Sequence, residues 1–263
     1  MTFLFLVAVL FGNINTILIT VKIIKLNAIG STNDYLKALY KKIDFEDQLL
    51  VVAKDQTKGR GQVGSKWHAE RGKSLNFSLL RRFNRLTITH QFTINCAVSL
   101  GIKKGLEQIG IGTVKIKWPN DILADDKKLC GILIENQLQA GTIASSIIGV
   151  GINVNNRSFP NLPKASSMFL IKKKEFDLDR VLQVVSESIS SELKRVENRD
   201  FEDLKTEYEQ HLFRKDTISV FENGEGERFN GIIKGISKTG ELCLEMENES
   251  LNYFNLKDLQ LLY

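Results

Sequence analysis

The stretch Val114 to Glu135, VKIKWPNDILADDKKLCGILIE, decides the fold. Val114, Ile116 and Trp118 alternate with Lys115 and Lys117. That is the period-two pattern of a half-buried strand, and Pro119 ends it because proline brings no N–H to a ladder. Ile122 to Ala124 and Leu129 to Asn136 are two further strands. Asp125-Asp126 makes the turn between them, since Asp tolerates left-handed backbone and bonds its own main chain. Asp121 is read as closing the strand before this hairpin, and Lys128 as opening the strand after it. Gly131 sits inside that last strand, where a missing side chain often marks a close approach of backbone or ligand.

Outward from this hairpin the chain alternates strands and helices. Upstream, Lys22 to Leu26, Leu49 to Lys54 and Leu75 to Leu80 read as strands. Ser31-Thr32-Asn33-Asp34 supplies an N-cap before YLKALYKK, so a helix begins there. Phe92 to Ile109 carries apolar residues at helical spacing and stops at Gly110. Downstream, Ile143 to Val150 is a strand, and Leu178 to Glu197 and Phe201 to His211 are helices. From Thr217 the text changes to TISVF, RFNGIIKGI, ELCLEME and LNYFNL, separated by Gly- and Asn-containing turns. Short strands at that spacing form a small antiparallel barrel, with a boundary near Arg214. The expected organisation is an apolar extension over 1–21, a catalytic domain over 22–213 and a barrel over 214–263.

Composition narrows the classes. The chain has 263 residues, of which 43% are hydrophobic and 25% charged. These are values of a soluble globular protein, which excludes disordered and fibrous types. Its three cysteines, Cys96, Cys130 and Cys243, are far apart, which excludes a disulfide scaffold and a paired-cysteine zinc site. They lack a neighbouring His and read as inert. His68, His90 and His211 have no ligand spacing and read as surface or packing residues. The net charge of +5 fits an anionic ligand or partner. Met1 to Val21 is the odd segment, apolar and uncharged. Its unbroken run, Phe3 to Phe11, is shorter than the roughly 20 residues a membrane helix needs. It also lacks the leading cations of a secretory signal. The alternatives are an extra strand or an over-extended start with initiation near Val21. The second is the expectation here, beside an anchor reading of lower weight.

Three segments carry chemistry. The loop Gln56 to Lys66, QTKGRGQVGSK, suits neither helix nor strand. Gly59, Gly61 and Gly64 have dinucleotide-type spacing, but no helix follows, so that reading fails. Exposed N–H groups with Lys58, Arg60 and Lys66 could wrap an anion, and a solvated turn is equally compatible. Lys128 beside Asp121 at a sheet end suits phosphate chemistry, against the plainer reading of a surface ion pair. Gly149-Val150-Gly151-Ile152-Asn153 places two glycines at a strand end, open to a ligand or to a plain turn.

In order, these segments resemble the biotin protein ligases. That family carries a GRGRxGRxW loop, a KWPND strand end, a K-[LV]-x-G-I-L-[IV]-E strand and a GxGIN turn. Here they read Gly59 to Trp67, Lys117 to Asp121, Lys128 to Glu135 and Gly149 to Asn153. Ser31-Thr32-Asn33 and Gln56 match two further family sites. The resemblance implies an α+β fold: a class II synthetase-like mixed sheet flanked by helices, with a C-terminal SH3-like barrel. It implies two reactions. Biotin and MgATP give biotinyl-5′-AMP and pyrophosphate, and the biotinyl group then passes to one lysine of a biotin carboxyl carrier protein. The carrier belongs to acetyl-CoA carboxylase or a related carboxylase.

By the same resemblance, Lys128, Arg60 and Asp121 are catalytic. Ser31, Thr32, Asn33, Gln56, Gly59, Arg60, Gly61, Gln62, Lys128 and Gly131 hold biotin. Arg60, Gln62, Trp67, Asn120, Asp121, Lys128 and Asn153 hold the adenylate. Trp67 could instead be plain core. Mg²⁺ enters with ATP and no fixed protein metal site is expected. A cytoplasmic protein is implied, and a homodimer is open because some members extend their sheets.

Two positions depart from the family, Gln62 and Ser65 where Arg is usual, and both remove charge from the loop. Lys66 offsets this in part, so a weaker hold on the adenylate is expected. Only Met1 to Val21 precede the first expected strand, too few for a winged-helix domain. The expectation is a ligase with neither nucleic acid nor membrane as partner. Two competitors are a lipoate or octanoate ligase or transferase of the same superfamily, and a nucleic-acid binding module. KWPND followed by KLCGILIE argues against the first. The Glu-rich segment from Arg214 argues against the second.

Overall fold

The computed structural model describes residues 5–11, 19–40, 42 and 48–263. The elements run β1 (Phe5–Phe11), β2 (Ile19–Ile29), α1 (Thr32–Tyr40), β3 (Gln48–Gln56), β4 (Ser74–Thr87), α2 (Gln91–Gln108), β5 (Val114–Lys117), β6 (Asp121–Ala124), β7 (Lys127–Gln139) and β8 (Thr142–Asn153). Then come α3 (Met168–Lys172), α4 (Leu178–Glu197), α5 (Phe201–Gln210) and β9 (Ile218–Asn223), β10 (Arg228–Ile236), β11 (Leu242–Glu245), β12 (Leu251–Phe254) and β13 (Leu259–Leu262).

The first eight strands form one mixed sheet in the order β1-β2-β3-β4-β8-β7-β6-β5. Only β2 and β3 run parallel, joined through α1. The sheet is covered on both faces, and the period-two alternation of its strands shows it. Ile24, Leu49 and Val51 turn to a small cluster under Leu36 of α1. Ile23 and Leu50, one residue out of phase, turn to the main core with α2, α4 and α5. The expected mixed sheet flanked by helices is what forms. The apolar stretch Phe5–Phe11 is an edge strand, paired antiparallel with β2. Residues 1–4 and 12–18 of the segment read as an over-extended start lie outside the described residues.

Asp125 and Asp126 both adopt left-handed backbone, with φ of 50° and 55°. That is the twist-matched turn of a two-residue hairpin. It lies between β6 and β7, as expected. One reading needs correction: Asp121 does not close β5 but opens β6, because Trp118 to Asn120 make the turn. β4 also outruns its expected end at Leu80. Its polar continuation is held by Arg81, which is buried and bonds Glu197 Oε1 at 2.5 and 2.9 Å and Gln48 Oε1 at 3.2 Å.

The tail forms a five-stranded antiparallel sheet, β12-β11-β10-β9-β13, which fits the SH3-like expectation. The sequence reading missed β13. Asn255 N donates to Asp258 Oδ2 at 2.6 Å and Asp258 N returns to Asn255 O at 3.0 Å, so the turn before β13 closes without the Gly or Pro that would have marked it. The tail is fastened to the larger sheet. The Trp118 indole donates to Gly240 O at 2.9 Å, and Ile236 N donates to Glu209 Oε1 at 2.8 Å. Phe221, Ile233 and Leu244 belong to the same core as α2 and α4. Among the described residues, no helix is long and apolar enough to cross a membrane.

The helix layer depends on a close crossing. A Cβ on Gly101 of α2 would lie 2.6 Å from Ile189 Cα and 2.8 Å from Ile189 N. Helix propensity favours Gly101→Ala by about 1 kcal/mol. The obstructing atoms are backbone and cannot turn aside, and overpacking costs about 1–3 kcal/mol. Gly101→Ala is therefore expected to lower the urea midpoint with an unchanged slope. A raised midpoint would show that α2 and α4 separate freely.

Candidate functional site

A cavity of about 540 Å³ opens where the start of α1, the glycine loop, the paired strands β6 to β8 and the tail converge. One wall is neutral and polar. Ser31, Thr32 and Asn33 are buried at the first turn of α1. Gln56, the last residue of β3, accepts through Oε1 from Thr32 N and Thr32 Oγ1, both at 3.0 Å. Ser78 Oγ lies 2.7 Å from Thr32 Oγ1 and 2.6 Å from Asn33 Oδ1. Asn33 Nδ2 donates to Glu135 Oε2 at 2.8 Å. Asn33 can occupy this place because Gly149 has no side chain: a Cβ there would lie 2.5 Å from Asn33 Oδ1. Four sequence-predicted residues thus meet on one wall, and their own bonds hold it rigid.

The glycine loop is a folded hairpin. Gly61 N donates to Ser65 O at 2.7 Å and Trp67 N to Gly59 O at 3.0 Å, around a tight turn at Gln62–Gly64. The glycines have steric reasons. A Cβ on Gly59 would stand 2.5 Å from Trp67 O, and one on Gly61 2.3 Å from Ser65 Oγ. Val63 holds a positive φ of 52° at the tip and is 63% exposed. Gln62, Ser65 and Lys66 line the cavity, and Gln62 Oε1 is buried with no hydrogen-bond partner. Such an acceptor is costly unless a ligand satisfies it.

Trp67 leaves the loop and lies on two glycines. Gly131 of β7 and Gly151 of β8 stand opposite each other in register. A Cβ on Gly151 would meet Trp67 Cε2 at 2.3 Å, and one on Gly131 would meet Cζ3 at 3.3 Å. The indole Nε1 donates to Asn76 Oδ1 at 2.8 Å. Trp67 is therefore cavity wall and not plain core.

The opposite wall is cationic. Lys128 Nζ lies 2.6 Å from Asp121 Oδ1 and 5.9 Å from the centre of the Trp67 ring. Asn120 ties its turn to β7: its Nδ2 donates to Ile132 O at 2.7 Å, and Ile132 N returns to Asn120 O at 3.0 Å. Lys117 also lines the cavity, with its ammonium pushed below the usual lysine range by burial and by the neighbouring Lys128 and Lys164. Arg60 is differently placed from a free cation. Its Nη2 is held by Asp34 Oδ1 at 2.6 Å and Glu135 Oε2 at 3.2 Å.

Two predicted residues do not line the cavity. Gly59 supports the base of the loop, and Asn153 is buried at the end of β8 opposite Ser74. Its Oδ1 has no hydrogen-bond partner. The cysteines are buried, and burial pushes the Cys96 and Cys130 thiols far up, as expected of inert groups. Among the described residues, no group of three or more His, Cys, Asp or Glu could hold a metal ion. Sequence reasoning missed Asn76 and Ser78, although polar residues at period two inside SLNFSLL are a usable signal. It also missed Lys257 and Gln260, which reach the cavity from the tail with no sequence mark.

This geometry has known counterparts. The biotin/lipoate A/B protein ligase family matches residues 26–153. The bifunctional ligase/repressor BirA of Bacillus subtilis is 33% identical over 217 residues, covering 81% of this chain and 66% of that protein. BirA of Escherichia coli is 31% identical over 232 residues, covering 84% of this chain and 68% of that protein. The chain thus spans about two thirds of the length of these curated relatives. The biotin protein ligase of Aquifex aeolicus, solved in complex with biotin and ATP, is 27% identical with a TM-score of 0.74. That match covers 91% of this chain and 98% of the Aquifex chain. The chain belongs to the biotin/lipoate A/B protein ligase family.

Proposed function

We propose that the chain is an ATP-dependent biotin protein ligase acting in the cytoplasm. It forms biotinyl-5′-AMP and passes biotin to a lysine of the carboxyl carrier protein of acetyl-CoA carboxylase or a related carboxylase. The observation that carries this reading is one cavity with two unlike walls. Ser31, Thr32, Asn33 and Gln56 offer neutral donors and acceptors, braced from behind by the buried Ser78, while Lys117, Lys128 and Lys66 offer charge. A ligand with a neutral ureido head and a carboxylate tail needs both, in that order. In this assignment residues 22–213 supply the chemistry, and residues 214–263 close the cavity through Lys257 and Gln260.

The first step brings two anions together, so its barrier is largely electrostatic. Lys128 stands beside the reacting carboxylate and α-phosphate and offsets their repulsion; Mg²⁺ accompanies ATP as part of the substrate. The carboxylate oxygen bonds to the α-phosphorus, and the electron pair of the broken bond leaves with pyrophosphate. In the second step a neutral lysine amine attacks the anhydride, and AMP leaves. Asp121 is placed to accept the amine proton, held in position by Lys128 at 2.6 Å. The loop hairpin, with Val63 at its tip, keeps water from the anhydride.

The alternative, ligation of lipoate or octanoate, gives no role to the hydroxyl and amide groups of the neutral wall. Adenylate formation with biotin and not with lipoate is expected, and the reverse preference would overturn the reading. Pyrophosphate release with ATP and biotin should fall by about 10²-fold or more in Lys128→Ala, the cost of removing one preorganised charge partner. Equal rates would remove Lys128 from the chemistry.

Gln62 gives a further expectation. With an amide where the family usually carries Arg, the adenylate lacks one charge-assisted bond. Biotinyl-AMP should leave Gln62→Arg more slowly than wild type, measured as an off-rate. An unchanged or faster rate would rule out Gln62 as the cause of a loose hold.

A further inference from the structure

Positive charge at the cavity exceeds what the first reaction centre uses. Asp121 is committed to Lys128 at 2.6 Å. Lys117, on the same wall, and Lys164, an exposed residue just outside the cavity lining, have no carboxylate within ion-pair distance among the described residues. Both instead face one aromatic ring: Lys164 Nζ lies 4.2 Å and Lys117 Nζ 5.7 Å from the centre of Tyr263. A ring face stabilises a cation without neutralising it. Two ammonium groups so placed repel each other, and a polyanion relieves that repulsion.

The cluster is built, not a chance of mobile side chains. Lys128 N donates to Lys164 O at 2.7 Å, and Ser166 N returns to Lys128 O at 2.9 Å. The loop bearing Lys164 is thereby fixed to the strand bearing Lys128. Tyr263 follows β13 and packs edge-on against Phe213, with ring centres 5.1 Å apart at 68°. Phe213 itself lines the cavity. Burial and the two neighbouring lysines lower the Lys117 pKa, and burial with Asp121 and Asp126 raises that of Tyr263. Asp121 and Asp126 are thus the carboxylates that act on the cluster.

We propose that Lys117, Lys164 and Tyr263 form a subsite for the pyrophosphate released in adenylation, with Tyr263 seating the two lysines. The inference rests on the ligase reading above. When the bond between the α-phosphorus and its bridging oxygen breaks, the electron pair and the departing charge go to pyrophosphate. Lys128 serves the α-phosphate, so further cations are needed one phosphate beyond it. The tail would then contribute to adenylation and not to biotin recognition.

The test uses the full chain and separates the half-reactions. In the reverse direction, biotinyl-AMP and pyrophosphate give ATP and biotin. The KM for pyrophosphate should rise about threefold in the exposed Lys164→Ala and about tenfold in the more enclosed Lys117→Ala. Tyr263→Leu should behave like Lys164→Ala, while Tyr263→Phe, which keeps the ring, and Lys164→Arg, which keeps the charge, stay near wild type. Transfer of biotin from supplied biotinyl-AMP to the carrier lysine involves no pyrophosphate and should not change in Lys164→Ala. An unchanged KM for pyrophosphate in both lysine variants, with active wild type, would overturn the subsite. So would a loss confined to the transfer step. Should wild type form no biotinyl-AMP, the ligase reading fails by itself. Calorimetry with pyrophosphate alone then decides: weaker binding by Lys164→Ala supports the subsite, and equal binding overturns it.

Discussion

The seating of one indole on two facing glycines organises this site. Gly131 and Gly151 are cross-strand partners in β7 and β8, and Trp67 fills the space that two side chains would take. Everything nearby follows from that contact. The loop hairpin is anchored at its far end because Trp67 cannot slide without meeting strand backbone. Lys128, three residues before Gly131, is set beside the ring face. Asn76, on the neighbouring strand β4, accepts a hydrogen bond from the indole N–H and so aligns β4 with the loop. Packed interiors pass on small displacements in this way because few voids exist to absorb them.

Around that anchor the charges are sorted. The neutral wall satisfies itself through Gln56, Thr32, Ser78 and Asn33, so its geometry persists without a ligand. The cationic wall holds Lys117 and Lys128, with Asp121 as the partner of Lys128, and the loop adds Lys66. Arg60 forms a third arrangement. It ties the loop to α1 through Asp34 and to β7 through Glu135, which also receives the Asn33 amide. An incoming anion must compete with these carboxylates for Arg60. The tail docks through Trp118, in the same turn that delivers Asn120 and Asp121, so its position and theirs are linked.

Much of this was legible in the chain. Period-two and helical spacing located most strands and four helices, and the Asp125-Asp126 turn followed from a residue type that tolerates left-handed backbone. The short helix Met168–Lys172 was not visible, since its five residues are too few to show a period. β13 was missed because its turn is closed by the Asp258 carboxylate and a backbone bond between Asn255 and Asp258, with no Gly or Pro to mark it. Ser31, Thr32, Gln56, Gln62 and Lys128 were named from motif and chemistry, and they meet in one cavity. Asn153 was named as well and does not line it: it shares the strand phase of Gly149 and Gly151 but stands at the very end of β8, opposite Ser74 and past the cavity.

What the sequence determined by itself was local and periodic: which segments are strands, where turns must occur, and which residue types can bear charge or bind amides. Tertiary structure alone decided which of them meet. Gly149 admits Asn33, Gly151 admits Trp67, and Phe213 holds the Tyr263 ring against Lys117 and Lys164. Each is a contact between residues distant in the chain, fixed by strand register and by the docking of the tail. Periodicity carries no information about such pairs. The physical reason is that a missing Cβ or an unpaired ammonium acquires meaning only from the atoms that packing places beside it.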